Sequence, residues 1–332
     1  MKKRRIIGLG IVATAVIWFQ VAGRFEARRI DQQRESRPIA QGRQVGLRID
    51  SERLMAAVTA LADPKFEGRA AGSPGGLAAR AWIVDRYKAI GLHPVSGAYV
   101  HPFTYKRMTM GGAQEGEGAN ILGMCIGSDP ALPFVVVSAH YDHLGIRDGQ
   151  IYPGADDDAS GVAVVLELAA FCQKTPFRHS VVFAAFDAEE RGLQGSRAFF
   201  VKPAAVPQER IALNVNLDMV SRNDKREIFI AGTYHYPDLK KPLEEIAAKA
   251  PITVLFGHDK PVSIAGGVED WTNQSDHGPF HAAKIPFVYF GVEDHADYHK
   301  PTDTADKINR GFLVDVAETI LDAVIALDQA RP

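Results

Sequence analysis

Residues 134–161 open with FVVVSAHYDHLG (Phe134 to Gly145) and end with YPGADDDASG (Tyr152 to Gly161), joined by a short polar loop. The first part is a buried strand by its unbroken apolar run, and it stops abruptly at His140, Asp142 and His143. The second part is a loop with three consecutive aspartates, Asp156 to Asp158, that opens into a helix. Apolar strands that end at metal-capable side chains are how α/β sheets build sites at their carboxyl edge. His140 and Asp157 are therefore taken as the first two ligands of a metal site, and the rest of the chain is searched for others.

The chain has 332 residues, a formal net charge of −2 and 46% hydrophobic residues. That is enough for one large core or two modest ones. A near-neutral charge argues against nucleic acid as a partner, because phosphate binding needs a basic surface. Two cysteines, Cys125 and Cys172, allow at most one bridge. Each falls in an apolar pattern, Cys125 in a strand and Cys172 in a helix, and both are expected to be buried thiols.

Lys2 to Arg5 precede an apolar run from Ile6 to Gly23, interrupted only by Thr14 and Gln20. This is the anatomy of an export signal, 1–23, cleaved or kept as an anchor, with the anchored form favoured. The bulk of the protein is then expected on the periplasmic or extracellular side. Residues 24–48, rich in Arg and Gln, are expected to be a linker, and 49–332 a catalytic domain.

Helical periodicity covers Ser51 to Leu61 and Gly75 to Ile90, on either side of the Gly- and Pro-rich DPKFEGRAAGSPGG. Val100 to Met108 and Ala119 to Ile126 are expected strands around a Gly-rich turn at Gly111 to Gly118. Beyond the aspartate loop come a helix from Ser160 to Gln173 and apolar strands at Ser180 to Phe186, Ile211 to Leu217, Glu227 to Ala231, Ile252 to Phe256 and Pro286 to Gly291. A long amphipathic helix from Ala305 to Ala330 closes the chain. Continuous apolar strands between helices predict an α/β fold with a mostly parallel mixed central sheet and helices on both faces.

Four strand ends carry metal-capable residues: His140, then Asp187 to Glu190, then Asp218, then Tyr298 and His299 across a polar loop. With Asp157 the set is two His, two Asp and one Glu, with a second Glu alongside. Taken singly, each has a blander reading: a loop histidine, a helix-capping aspartate, a surface glutamate pair. Their recurrence at successive strand ends is what points to a site. Imidazole and carboxylate without thiolate suit zinc, with manganese or cobalt as alternatives. One carboxylate between two ions can bridge them, and of the pair Glu189-Glu190 one can bind metal while the other accepts a proton.

With these pieces in place the chain resembles the zinc-dependent di-metal exopeptidases, the aminopeptidase and glutamate-carboxypeptidase-like peptidases of clan MH. The matching motifs are HYD at His140 to Asp142, PGADDDASG at Pro153 to Gly161, DAEERGLQGS at Asp187 to Ser196, NLDMV at Asn216 to Val220 and YHKPTDT at Tyr298 to Thr304, with FEGRAAGSPG at Phe66 to Gly75. The resemblance implies a phosphorylase/hydrolase-like fold. It implies that His140 and Asp218 hold one zinc, Glu190 and His299 the other, and that Asp157 bridges both. Glu189 would be the general base, and Asp142 would hydrogen-bond His140. Asp276, in SDHGPF, would orient Glu189 or the substrate, and Tyr298 would assist the oxyanion or simply pack.

The function so implied is hydrolysis of N-terminal peptide bonds by a hydroxide held between two zincs, with peptides as substrates. A glutaminyl cyclase-like acyltransferase with one zinc is the main rival. A carboxypeptidase is another, and a non-catalytic membrane-anchored binding module is the rival of a different class. Side-chain specificity and oligomeric state are not legible in the sequence.

Overall fold

The computed structural model describes residues 32–33, 48–109, 112–265 and 267–330. The apolar run of 1–23, with the anchor expected there, lies outside them, as does nearly all of the expected linker 24–48. Among the described residues no helix is long and apolar enough to cross a membrane.

The strands in chain order are β1 (His93–Pro94), β2 (Val100–Thr109), β3 (Gly112–Cys125), β4 (Phe134–His140), β5 (Gly145–Arg147), β6 (Gln150–Tyr152), β7 (Val181–Phe186), β8 (Ile211–Leu217), β9 (Glu227–Ala231), β10 (Thr253–Phe256) and β11 (Phe287–Gly291). Nine form one sheet in the order β1-β3-β7-β4-β8-β11-β9-β10, with β2 paired to β3 outside that path. The four central strands, β7, β4, β8 and β11, run parallel. Antiparallel pairing flanks them, β3 on β7 and β9 on β11. The sheet is mixed with a parallel centre, as the apolar runs predict.

Both faces of the centre are covered. In β4, Val135, Val137 and Ala139 enter the larger core, while Val136 enters the smaller one behind the sheet. In β7, Val181, Phe183 and Ala185 face one way, and Val182, Ala184 and Phe186 the other. This is the period-two alternation of a strand buried on both sides. Helices Ser51–Leu61, Pro74–Ile90, Gly161–Lys174 and Arg310–Ala330 supply the larger core.

Three expectations are corrected. The Gly111 to Gly118 turn is mostly strand, because β3 starts at Gly112 and pairs with β2 up to Thr109. Two of its glycines lie under aromatic rings: a Cβ on Gly116 would meet the Tyr105 ring at 2.5 Å, and one on Gly118 the Phe103 ring at 2.5 Å. Cross-strand aromatic cover compensates for the poor strand propensity of glycine. The closing helix begins at Arg310, where Asn309 Oδ1 accepts the Phe312 N–H at 3.0 Å and caps it. Cys125 and Cys172 are not free thiols but form a disulfide. Burial was read correctly; the pairing was missed because it depends on the end of β3 lying against the Gly161–Lys174 helix, a long-range contact.

Candidate metal centre

The parallel strands β7, β4, β8 and β11 are neighbours, so their carboxyl ends lie side by side. They deliver Glu189 and Glu190, His140, Asp218, and, after a loop, His299 along one edge. Asp157 arrives from the turn before the Gly161–Lys174 helix. That turn needs Gly154, whose φ is +56 and whose added Cβ would meet Asp157 O at 2.1 Å and the His143 ring at 2.6 Å. Ala188, Met219 and His299 also take left-handed backbone conformations (φ 56, 57 and 52) beside or at site residues. Backbone strain of this kind clusters at functional sites.

Two groups of donors form, and they share Asp157. In the first, ligand atoms of His140, Asp157 and Asp218 lie within 4.8 Å of one another, as do those of His143, Asp157 and Glu190 in the second. His140 Nε2 is 3.1 Å from Asp157 Oδ1 and 3.5 Å from Asp218 Oδ1. His299 Nε2 is 3.1 Å from Asp157 Oδ2 and 3.4 Å from Glu190 Oε1. All five residues expected to bind metal are therefore brought together. Buried His140 Nε2, His143 Nδ1 and Glu190 Oε1 face opposite partners yet make no well-formed hydrogen bond. Imidazole and carboxylate atoms that converge without bonding each other are what a cation between them requires, and the donor set suits zinc.

Electrostatics separate the carboxylates. Burial pushes Glu189 well above the usual carboxylate range, reinforced by the charges of Asp218, Asp276 and Glu190 against the pull of His140. Asp157 is buried too, but His143, His140 and His299 hold it well below that range. Glu190 is drawn down to about 2 against burial and the Asp157 charge, by His143 and His299. Adjacent Glu189 and Glu190 are thus pushed in opposite directions, the pattern that separates a proton carrier from a ligand. Burial opposes charge on His140, yet Asp218, Glu189 and Asp157 raise it well above its usual value.

The supporting contacts refine several expectations. Asp142 was expected to hydrogen-bond His140. Its Oδ1 lies 3.8 Å from His140 Nδ1, too far, and it is the Asp142 main-chain carbonyl, at 3.1 Å, that faces that nitrogen. The Asp142 carboxylate instead accepts the Glu189 N–H at 2.9 Å and fixes the turn carrying both glutamates. Asp276 is fully buried and does not line the cleft; burial raises it to about 7, and its charge acts on Glu189. Tyr298 does line the cleft, its ring stacked on His299 with centroids 3.9 Å apart. Asp156 and Asp158 shape the loop: Asp158 Oδ1 accepts the N–H groups of Gly161 and Met219, and Asp156 Oδ1 that of Ser221.

Three residues present in the motifs above had been given no role. His143 sits 2.8 Å from Glu190 Oε1; its place three residues after His140 on the same strand end was the available signal. Asp303, inside the quoted YHKPTDT, accepts the N–H groups of Asp156 and Asp157 and so ties the His299 loop to the aspartate loop. Arg69, inside FEGRAAGSPG, is fully buried and donates to the carbonyls of Tyr141, Leu61 and Gly154. One guanidinium thereby clamps the two loops quoted at the outset.

The groups open into a cleft of about 410 Å³ that Met219, Trp271, Tyr289 and Val292 also line.

Comparison with known proteins agrees with this geometry. The chain is 29% identical over 219 residues to aminopeptidase YwaD of Bacillus subtilis (strain 168), covering 62% of this chain and 44% of that protein. It is 27% identical over 213 residues to human BOS complex subunit NCLN, covering 58% of this chain and 37% of that one. These alignments span less than half of each relative. Among solved structures, BSAP, a zinc aminopeptidase from Bacillus subtilis, superposes with a TM-score of 0.64 at 17% identity, over 84% of this chain and 95% of that one. A glutaminyl cyclase from Bacteroides thetaiotaomicron reaches 0.65 at 18% identity, over 83% and 98%. At such identities these two show the fold alone. The model of peptidase family M28 matches residues 120–324, from β3 into the last helix and across every candidate ligand, and the chain belongs to that family.

Proposed function

We propose that this chain is a zinc-dependent aminopeptidase that removes N-terminal residues from peptides with a pair of metal ions. The observation that carries this is the sharing of Asp157 by two donor groups, with the oppositely shifted Glu189 beside them. His140 and Asp218 would hold one ion, Glu190 and His299 the other, and Asp157 both. Bound zinc would supply Lewis-acid polarisation of the scissile carbonyl and lower the pKa of the attacking water. Glu189 then takes the proton of that water and returns it to the leaving amine, a task suited to a carboxyl whose pKa is raised. Asp142 holds the Glu189 backbone in place for it.

The test is Glu189→Gln on zinc-loaded protein with aminoacyl anilides. The expected result is a fall in kcat of about 10²–10⁴-fold with metal content unchanged. Near-normal turnover would remove Glu189 from the mechanism. One metal per chain together with cyclisation of N-terminal glutamine would favour the cyclase instead.

The Cys125–Cys172 disulfide supports an exported protein, since such bonds persist in oxidising compartments. N-terminal sequencing of the mature protein decides between anchor and cleaved signal: a chain starting near Arg24 would eliminate the anchor.

A further inference from the structure

The cleft beside the metal groups joins two kinds of surface. Its inner wall is apolar and buried: Met219, Trp271, Tyr289 and Val292. Trp271 is held there by stacking on His258, with centroids 3.6 Å apart and planes 7° from parallel. Its outer rim carries two exposed carboxylates, Glu269 and Asp294, that belong to neither donor group. Glu269 is held in place, with Oε1 accepting from Gln274 Nε2 at 3.0 Å and Oε2 lying 3.4 Å from Trp271 Nε1. Asp294 is near enough for the Glu269 charge to act on it. Among the described residues neither carboxylate is in an ion pair with a Lys or Arg of the chain.

A side chain that matches both surfaces is apolar along its stem and cationic at its tip. Lysine and arginine are built this way, laying methylenes on apolar surface while the charged head reaches the rim. A leucine satisfies only the inner wall, and an aspartate or glutamate is repelled by the rim. We propose that the cleft selects substrates with an N-terminal lysine or arginine, with Glu269 as the residue that reads the charge and Asp294 adding to its field. This rests on the aminopeptidase reading and names the substrate class of the same site.

The experiment compares lysine-, arginine- and leucine-anilides on the zinc-loaded full chain and on Glu269→Gln, whose Tm verifies folding. The wild type is expected to favour the basic substrates in kcat/KM. The variant should lower the lysine-to-leucine ratio about tenfold, the loss of one charged hydrogen bond. A ratio that stays put, or a parallel loss on both substrates, overturns the inference; the parallel loss would assign Glu269 to the α-ammonium group shared by all substrates. Calorimetric binding of lysinamide against leucinamide needs no turnover. Tighter leucinamide binding overturns the inference even if the protein hydrolyses nothing, whereas tighter lysinamide binding without hydrolysis upholds the cleft and removes only the catalytic reading.

Discussion

The two walls of the cleft are made differently. One is the carboxyl edge of four parallel strands, where the His140 side chain is 1% exposed and the main chain of its partner Asp157 is tied down by Asp303. The other is loop: His299, 38% exposed, follows β11 at a distance, and Glu269 and Trp271 lie between β10 and the His277–Ala282 helix. A wall set by strand register holds its groups at fixed spacing, which suits metal binding and proton transfer. A wall made of loops can vary without disturbing the sheet, which suits the choice of substrate. The exposed His299 crosses this division, because it is a loop residue that reaches a buried carboxylate.

Substitutions that remove one imidazole at a time put the division to its strongest test. His140→Ala takes the only imidazole from the first donor group and leaves Asp157 and Asp218 facing each other, Asp157 deeply buried. Only two donors then remain in that group, so zinc affinity and kcat/KM should fall by about 10³-fold or more. His299→Ala should cost less, because His143 stands at the same carboxylates. His143→Ala should weaken zinc by about 10–100-fold, the range for a group that supports a ligand from behind. Zinc titration against a chelator measures all three. A His143 loss larger than that of His299 would reverse their roles and make the buried wall self-sufficient.

That division also marks what the sequence could tell. β4, β7, β8 and β11 were legible because strands buried on both faces must be apolar throughout, and their ends were legible because polar residues appear there abruptly. That pattern marked His140, Asp218 and the Glu189-Glu190 pair as candidate ligands, with Asp157 in the aspartate loop beside them, whereas the choice of Glu190 over Glu189 came from the family resemblance. The two strands of the β2–β3 hairpin were read as such, but its turn was drawn too long because the rings that cover Gly116 and Gly118 belong to another strand. Arg69 and Asp303 lay inside quoted motifs without a role, since what they hold, main-chain carbonyls and N–H groups of other loops, leaves no trace in side-chain chemistry. The cysteine pairing was hidden because it depends on a long-range contact between β3 and the Gly161–Lys174 helix, and the cleft's apolar wall because Trp271, from a loop, joins Met219, Tyr289 and Val292 only in the folded chain.

The loop wall has its own foundation, and it should be sensitive to acid. His277 is fully buried behind Trp271, its Nε2 2.8 Å from the Trp271 carbonyl. Burial pushes the imidazole down to about 3, helped by the nearby His281 and His235 and opposed by the Trp271 carbonyl and Asp270. The folded chain keeps it neutral while the unfolded chain protonates near 6.5. Its stabilising contribution is complete above that pH and is lost on acidification toward about 3, by about 1.4 kcal/mol per pH unit. Urea midpoints of zinc-free wild type and His277→Gln between about pH 7 and 5 isolate this contribution from the other titrating groups. The variant should start less stable and decline less steeply. Equal slopes would mean that His277 is protonated in the folded state as well.

The smallest expected effect concerns Tyr298, placed on the loop wall with two possible roles. A hydroxyl that donates to the developing oxyanion would cost about 10²-fold or more when removed. The structure offers the other role directly: the ring stacks on His299, and no hydrogen bond of the Tyr298 hydroxyl is seen among the described residues. Stacking depends on the ring and not on the oxygen, so Tyr298→Phe should keep kcat within about threefold of wild type, while Tyr298→Ala frees the exposed His299 to turn and weakens zinc. If the Phe variant loses as much as the Ala variant, the hydroxyl acts on the substrate, and the loop wall takes part in the chemistry as well as in selection.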